Sequence, residues 1–193
     1  PILAPEEVAY IVEDSASKVL VAVERTAPLA LAMGERCACV EHVVVAAEEI
    51  PEGALDFRAL VVEDTSALPE PPGAEELACL QYTSGTTGRP RGAMLTHANL
   101  LADAAASAEA VHMAEGDVFL SVLPLFHVFG ATVTMIIPIT LGAASAHLPR
   151  FEPLAVLETI QRAGVTIFCG VPSMFAVLAA LRGPQGPDLS TLR

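Results

Sequence analysis

Positive charge is scarce in this chain. Ten lysines and arginines stand against 23 acids, the formal net charge is −13, and Lys18 is the only lysine. The imbalance sits at one end: residues 1–80 sum to −12 and residues 81–193 to −1. A basic nucleic-acid-binding patch is therefore not expected, and the acidic first part reads as a solvated face. Cysteine is also sparse. Cys37 and Cys39 form a C-x-C, Cys79 and Cys169 stand alone, and no pair has the doubled spacing of a zinc site. Neither structural zinc nor a disulfide framework is expected, and isolated thiols suit a reducing cytoplasm. Between Asp117 and Arg150 there is no charged residue at all. Length alone would allow a membrane helix there. Pro124, His127, Gly130, Pro138, Gly142 and His147 interrupt the run, so a strand, a buried helix and a second strand explain it better. The chain opens at Pro1 with no charged, apolar and cleavage-site sequence behind it, and no signal peptide is expected.

Two common nucleotide signatures are missing. No Gly-Lys-Ser/Thr triplet closes a Walker A loop, and no Gly-x-Gly-x-x-Gly occurs. What is present is Tyr82-Thr83-Ser84-Gly85-Thr86-Thr87-Gly88-Arg89-Pro90-Arg91-Gly92. Its glycines let several backbone N–H groups converge on one spot, which makes an anion nest. The hydroxyls add donors without bulk. Arg91 adds a permanent charge and a fork of donors matched to phosphate oxygens. The segment is expected to join an apolar strand at Leu77–Leu80 to a helix starting near Thr96.

Apolar periodicity organises the rest. Pro5-Glu6-Glu7 opens a helix with Val8, Ile11 and Val12 on one face, and its acids suit the helix dipole. Val19–Val23 reads as a buried strand, Pro28–Glu35 as a helix and His42–Val45 as a strand, followed by a less regular acidic segment and a loop at Glu70-Pro71-Pro72-Gly73. Beyond the phosphate loop, Thr96 caps a helix running towards Met113, and Val118–Leu123 is an apolar strand. Val128–Leu141 is a buried helix and Ala143–Leu148 a strand. Pro153–Ala163 is an amphipathic helix stopped by Gly164. Val165–Cys169 is a strand, and Ser173 caps a helix carrying Met174, Val177, Leu178 and Leu181 on one face. With 53% hydrophobic residues the chain can bury a large core, as one domain or two lobes. The alternation predicts an α/β fold: parallel sheets flanked by helices in three αβα layers. The lobes are expected at 1–76, acidic, and 77–193, holding the phosphate loop.

A second motif is Leu123-Pro124-Leu125-Phe126-His127-Val128-Phe129-Gly130. It lies where a strand gives way to a helix, the usual ligand edge of an α/β sheet. On those residues alone, His127 would more often be a hydrogen-bonded core histidine than a site residue.

The loop resembles that of the adenylate-forming enzymes: acyl-CoA synthetases, beetle luciferases and peptide-synthetase adenylation domains. Their pattern is Tyr-Thr-Ser-Gly-Ser/Thr-Thr-Gly-x-Pro-Lys-Gly, with one departure here, Arg91 for lysine. The second motif is similar to the Leu-Pro-x-Phe-His-x-x-Gly of acyl-CoA synthetases, and the whole is most like a bacterial long-chain fatty acyl-CoA synthetase. The resemblance implies a partial N-terminal domain that binds ATP, with Mg2+, a carboxylic acid and coenzyme A as its small-molecule partners. It implies nucleotide binding by Thr83, Ser84, Gly85, Thr86, Thr87, Gly88 and Arg91, with Thr83 near the metal. It also implies a catalytic and acid-site role for His127, beside Phe129 and Gly130. The family's Ser-Gly-Gly-Ala segment, Thr-Glu magnesium motif, ribose aspartate and lid lysine match nothing here. The chain thus reads as an internal piece whose main partner is the remainder of its own polypeptide, inactive alone. Its expected place is the cytoplasm, with peripheral membrane attachment and oligomerisation left open. An aryl-CoA ligase, a luciferase-like enzyme, an acyl-AMP ligase or a silent nucleotide-binding fragment are the alternatives.

Overall fold

A computed structural model describes residues 3–61, 70–83, 89–182 and 186–193. By internal contacts the chain divides into two units, residues 1–73 with 77–94, and residues 74–76 with 95–193. Residues 77–94, which flank and include the Tyr82–Gly92 segment, group with the first unit.

The first unit opens with α1 (Pro5–Asp14), which has Pro5 in its first turn. The Glu7 carboxylate accepts from the Ala4 N–H at 2.9 Å, satisfying one of the donors a helix start leaves free. Ala9 and Val12 turn inward onto Met33 of α2 (Ala27–Arg36) and Cys37 at its C-cap, forming one small core. Beside it lie β1 (Val19–Val23), β2 (His42–Ala46) and β3 (Leu55–Asp56), paired parallel in that order. Ala22, Val43 and Val45 pack with Ala27 of α2, joined by Leu31.

Two expectations need correction in this unit. The strand at 19–23 is only partly buried: Val19, Val21 and Val23 are exposed while Ala22 is buried. Alternation explains it, since successive side chains point to opposite faces and only one face meets helices. The irregular acidic segment also contains β3, followed by a 3₁₀ turn at Phe57–Leu60. Two residues of strand carry too little pattern to be read.

The strand leading into the loop runs further than Leu80, as β4 (Leu77–Thr83), and it pairs with an unexpected strand, β5 (Arg91–Thr96). Arg91-Gly92 shows no strand signature, and pairing with β4 overrides local preference.

The second unit has three layers. Its sheet is β7-β6-β8, all parallel, built from β6 (Val118–Ser121), β7 (Ala144–His147) and β8 (Ile167–Phe168). Phe119 of the central strand faces a core with Ala104 and Ala108 of α3 (His97–Ala110), together with Val133 and Ile137. The next residue, Leu120, faces the opposite core with Val156, Leu157 and Ile160 of α6 (Pro153–Ala163) and Leu178 of α7 (Pro172–Arg182). Helices on both faces explain why strands here read as continuous apolar runs.

Local signals set the helix ends. Thr96 caps α3: its Oγ1 accepts from the Asn99 N–H at 3.1 Å, and Asn99 Oδ1 accepts from the Thr96 N–H at 3.1 Å. Gly164 closes α6 at φ +62°, a left-handed geometry that glycine adopts without penalty. α7 starts at Pro172, so Ser173 lies inside it rather than at the cap, and Val177 and Leu181 of its apolar row are exposed.

Residues 128–141 are helical as expected, but in three pieces: α4 (Val128–Ala131), a π-helical turn at Thr132–Ile136 and α5 (Ile137–Leu141). The Ile137 N–H reaches back five residues to the Thr132 carbonyl. Pro138 supplies the cause. It has no N–H for the ladder and its ring would collide with the carbonyl four residues earlier, so the helix widens ahead of it.

Candidate functional site

The two motifs fall in different units. In the first unit, Thr83 is the last residue of β4 and Arg91 the first of β5, and both are exposed. Ser84, Gly85, Thr86, Thr87 and Gly88 lie outside the described residues. Both limbs of the segment are tied to α1. The Tyr82 hydroxyl donates to the Asp14 carboxylate at 2.6 Å, and the Arg89 guanidinium sits 5.8 Å from the centre of the Tyr10 ring. Tyr10 and Asp14 are four residues apart, so one helix face serves both limbs. Burial, then the hydrogen bond to Asp14 and that carboxylate's charge, push the Tyr82 phenol up to about 12. It therefore stays a neutral donor throughout the physiological range. Gly92 makes room for the ring, since a Cβ there would lie 3.1 Å from Tyr82 Cζ.

In the second unit, β6 runs through buried Val122 and Leu123 into a tight turn. The His127 N–H donates to the Pro124 carbonyl at 3.1 Å, closing four residues. His127 then becomes the N-cap of α4, its Nδ1 accepting from the Phe129 N–H at 3.2 Å. With Nδ1 an acceptor, the neutral ring carries its proton on Nε2. Leu125, Phe126, His127, Val128 and Phe129 are all exposed, Phe126 by 68% and Phe129 by 40%. An apolar ledge of this kind with a histidine in it, at the carboxyl end of a parallel strand, is where ligands of open α/β sheets bind.

Gly130 is placed differently from its neighbours. It is buried, and a Cβ added to it would lie 2.4 Å from the Pro124 carbonyl oxygen and 3.1 Å from the carbonyl carbon. Its lack of a side chain lets the helix start pack against the turn. Behind it, the Thr134 hydroxyl donates to the Gly130 carbonyl at 2.7 Å and receives from the Ser121 hydroxyl at 3.0 Å. Sequence reading singled out neither Ser121 nor Thr134. Hydroxyl residues inside a charge-free apolar run were the available signal, since buried hydroxyls need partners. Asp14 had no such signal, being 68 residues from Tyr82.

Electrostatics elsewhere concern stability. Asp117, buried at the start of β6, accepts from the Ala114 N–H at 2.8 Å, the Thr166 hydroxyl at 2.6 Å and Arg193 Nε at 3.0 Å, with Arg193 Nη2 on its other oxygen. The Arg193 hydrogen bonds chiefly hold its carboxyl down to about 2. Among the described residues, no group of three or more His, Cys, Asp or Glu is arranged to hold a metal ion. No helix among them is long and apolar enough to cross a membrane.

Comparison with known proteins places these features in a lineage. The AMP-binding enzyme family profile matches residues 1–193. A long-chain-fatty-acid–CoA ligase of Thermus thermophilus is 35% identical over 198 residues, covering 100% of this chain and 36% of the relative. A 4-coumarate–CoA ligase 2 of Oryza sativa subsp. japonica is 38% identical over 152 residues, covering 76% of this chain and 27% of the relative. The crystal structure of the anthranilate CoA ligase AuaEII, in complex with anthranoyl-AMP, superposes with a TM-score of 0.79 at 30% identity, over 100% of this chain and 38% of that one. The chain thus spans about a third of the length of the curated relatives it matches. Motifs, parallel α/β architecture and similarity along the full chain agree: it belongs to the AMP-binding enzyme family.

Proposed function

We propose that this chain forms part of the N-terminal domain of an AMP-forming fatty acid–CoA ligase. In the reaction a carboxylate oxygen attacks the α-phosphorus of ATP, the bond to the β-phosphate breaks, and acyl-adenylate and pyrophosphate form. The coenzyme A thiol then takes the acyl group and AMP departs. Thr83 to Gly88 and Arg91 would hold the β- and γ-phosphates, so that charge building on the leaving pyrophosphate meets positioned donors. His127 and Phe129 would border the acid, with Gly130 fixing their turn. Catalysis by His127 would take the form of a hydrogen bond from Nε2 to the carboxylate or adenylate.

The observation carrying this reading is the exposed ledge from Leu125 to Phe129. It places a histidine donor among apolar side chains at the end of a central parallel strand. A satisfied core histidine would be buried instead. The fatty acid is favoured by the aliphatic and phenyl character of the ledge and by the Thermus relative. An aryl acid is the second reading, on the strength of the coumarate relative and the anthranoyl-AMP neighbour. Thr83 would offer one neutral oxygen near a nucleotide-bound magnesium ion. The described residues do not by themselves make a metal site. Four free cysteines fit a reducing, cytoplasmic setting.

The test uses the full-length polypeptide with ATP, coenzyme A and a panel of long-chain saturated acids, 4-coumarate and anthranilate. The expected result is acid-dependent AMP release with thioester formation, strongest for the long-chain acids. Preference for an aryl acid would select the second reading. No acid-dependent AMP with any member would overturn the ligase assignment.

A further inference from the structure

We propose that Ser121 and Thr134 are positioning residues for the acid side of the reaction. They act as a buried hydroxyl relay that sets where the His127–Phe129 turn stands above the sheet. The proposal rests on the ligase reading of that turn and adds to it two residues outside either motif's contact surface.

The relay can be followed atom by atom. Ser121 is the last residue of β6, paired with His147 of β7, and its carbonyl accepts from the Leu148 N–H at 2.9 Å. Its hydroxyl donates to Thr134 Oγ1 at 3.0 Å, and Thr134 Oγ1 donates to the Gly130 carbonyl at 2.7 Å. Gly130 in turn is pressed against the Pro124 carbonyl, the same oxygen that accepts the His127 N–H. The His127 carbonyl accepts from the Ala131 N–H at 2.9 Å. The ledge is thus referenced to the sheet twice: through the chain from Ser121 to Pro124, and through the relay from Ser121 to Gly130.

The relay also coincides with the π-helical turn. Thr134 is its central residue, and a hydroxyl bonded to the carbonyl four residues back is a known cause of helix bending. Both side chains are buried, Ser121 at 3% and Thr134 at 1% exposure, where an unpartnered hydroxyl is costly. Alanine and valine would fill the same space without that burden. What the hydroxyls add is one preferred arrangement of the widened turn, and with it a fixed height for His127. A shift of about 1 Å in a positioning group is enough to lose up to about 100-fold in rate.

The experiment compares wild type, Thr134→Val, Thr134→Ser and Ser121→Ala in the full-length polypeptide. It measures KM for the acid, KM for ATP and kcat by AMP release, with a thermal melt on each preparation. Thr134→Val keeps the shape and removes the donor. It should raise the acid KM about tenfold while the ATP KM stays within about twofold, and Thr134→Ser should restore the acid KM. Ser121→Ala should shift the acid KM in the same direction by less, and it carries the test if Thr134→Val does not fold. An unchanged acid KM in both variants, or equal changes in both KM values that Thr134→Ser does not rescue, would overturn the relay. Those results require an active wild type, so they are distinct from a wild type that releases no AMP, which would overturn the ligase reading and the relay with it.

Discussion

Replacing Asp117 with asparagine tests the account of the second unit's stability. Asp117 sits at the start of β6, the strand whose far end leads into the His127 turn, and is only 4% exposed. Its carboxylate holds Ala114, Thr166 and Arg193 together, and Thr166 Oγ1 itself accepts from the Val118 N–H at 3.0 Å. The folded-state carboxyl titrates near 2 against an ordinary 3.8, so the carboxylate form contributes about 2 kcal/mol to folding at neutral pH. The sign follows from the direction. A depressed folded pKa gives stability that is complete above the unfolded value, near 4, and is lost as pH falls towards 2. About half should have gone by ~pH 3. Asparagine removes the charge and turns an amide N–H towards other donors. Arg193 is partly exposed and can rehydrate, which keeps the loss near 2–3 kcal/mol rather than the ~3–5 of a fully buried pair. Urea unfolding of wild type and Asp117→Asn at pH 7 should differ by that amount, and the gap should narrow in parallel titrations at pH 3. A gap that stays constant between the two pH values would refute the electrostatic reasoning, and no gap at pH 7 would refute the role of the cluster altogether.

Other outcomes follow from the motifs. Gly130→Ala should destabilise by about 2 kcal/mol, because overpacking against a backbone oxygen outweighs the ~0.4–1 kcal/mol gained from a stiffer unfolded chain; an unchanged melting temperature would contradict the 2.4 Å clash. Arg91→Ala in the full-length enzyme should slow adenylation by about 100-fold while Arg91→Lys keeps most of the rate, and pre-steady-state pyrophosphate release checks both. His127→Ala should impair acyl-adenylate formation with little change in the melt, whereas a core histidine would show a loss of ~1–3 kcal/mol and normal turnover per folded molecule. Tyr82→Phe should lower the affinity for ATP without altering the acid KM, since only the loop limb loses its tie to Asp14.

Much of the architecture was legible because parallel strands covered on both sides leave continuous apolar runs. Pro153 to Ala163 with Gly164 as its stop, and Thr96 as the cap of α3, are set by local chemistry and came through unchanged. What was not legible depends on contacts remote in sequence. β5 exists because β4 is there to pair with it, and the exposed face at Val19, Val21 and Val23 depends on which side helices cover. The π-helical turn could have been suspected from Pro138, but its register needs the Ser121–Thr134 bond to be seen. At the candidate site, the packing around Gly130 was not legible either. Gly130 is a glycine because Pro124 leaves no space for a Cβ.

The proposed ligase function is tested most directly by acid-dependent exchange of labelled pyrophosphate into ATP. Full-length wild type should exchange rapidly with a long-chain acid and negligibly without it. Arg91→Ala and His127→Ala should each suppress that exchange while remaining folded. Exchange that does not depend on added acid, or that persists undiminished in both variants, would contradict the account.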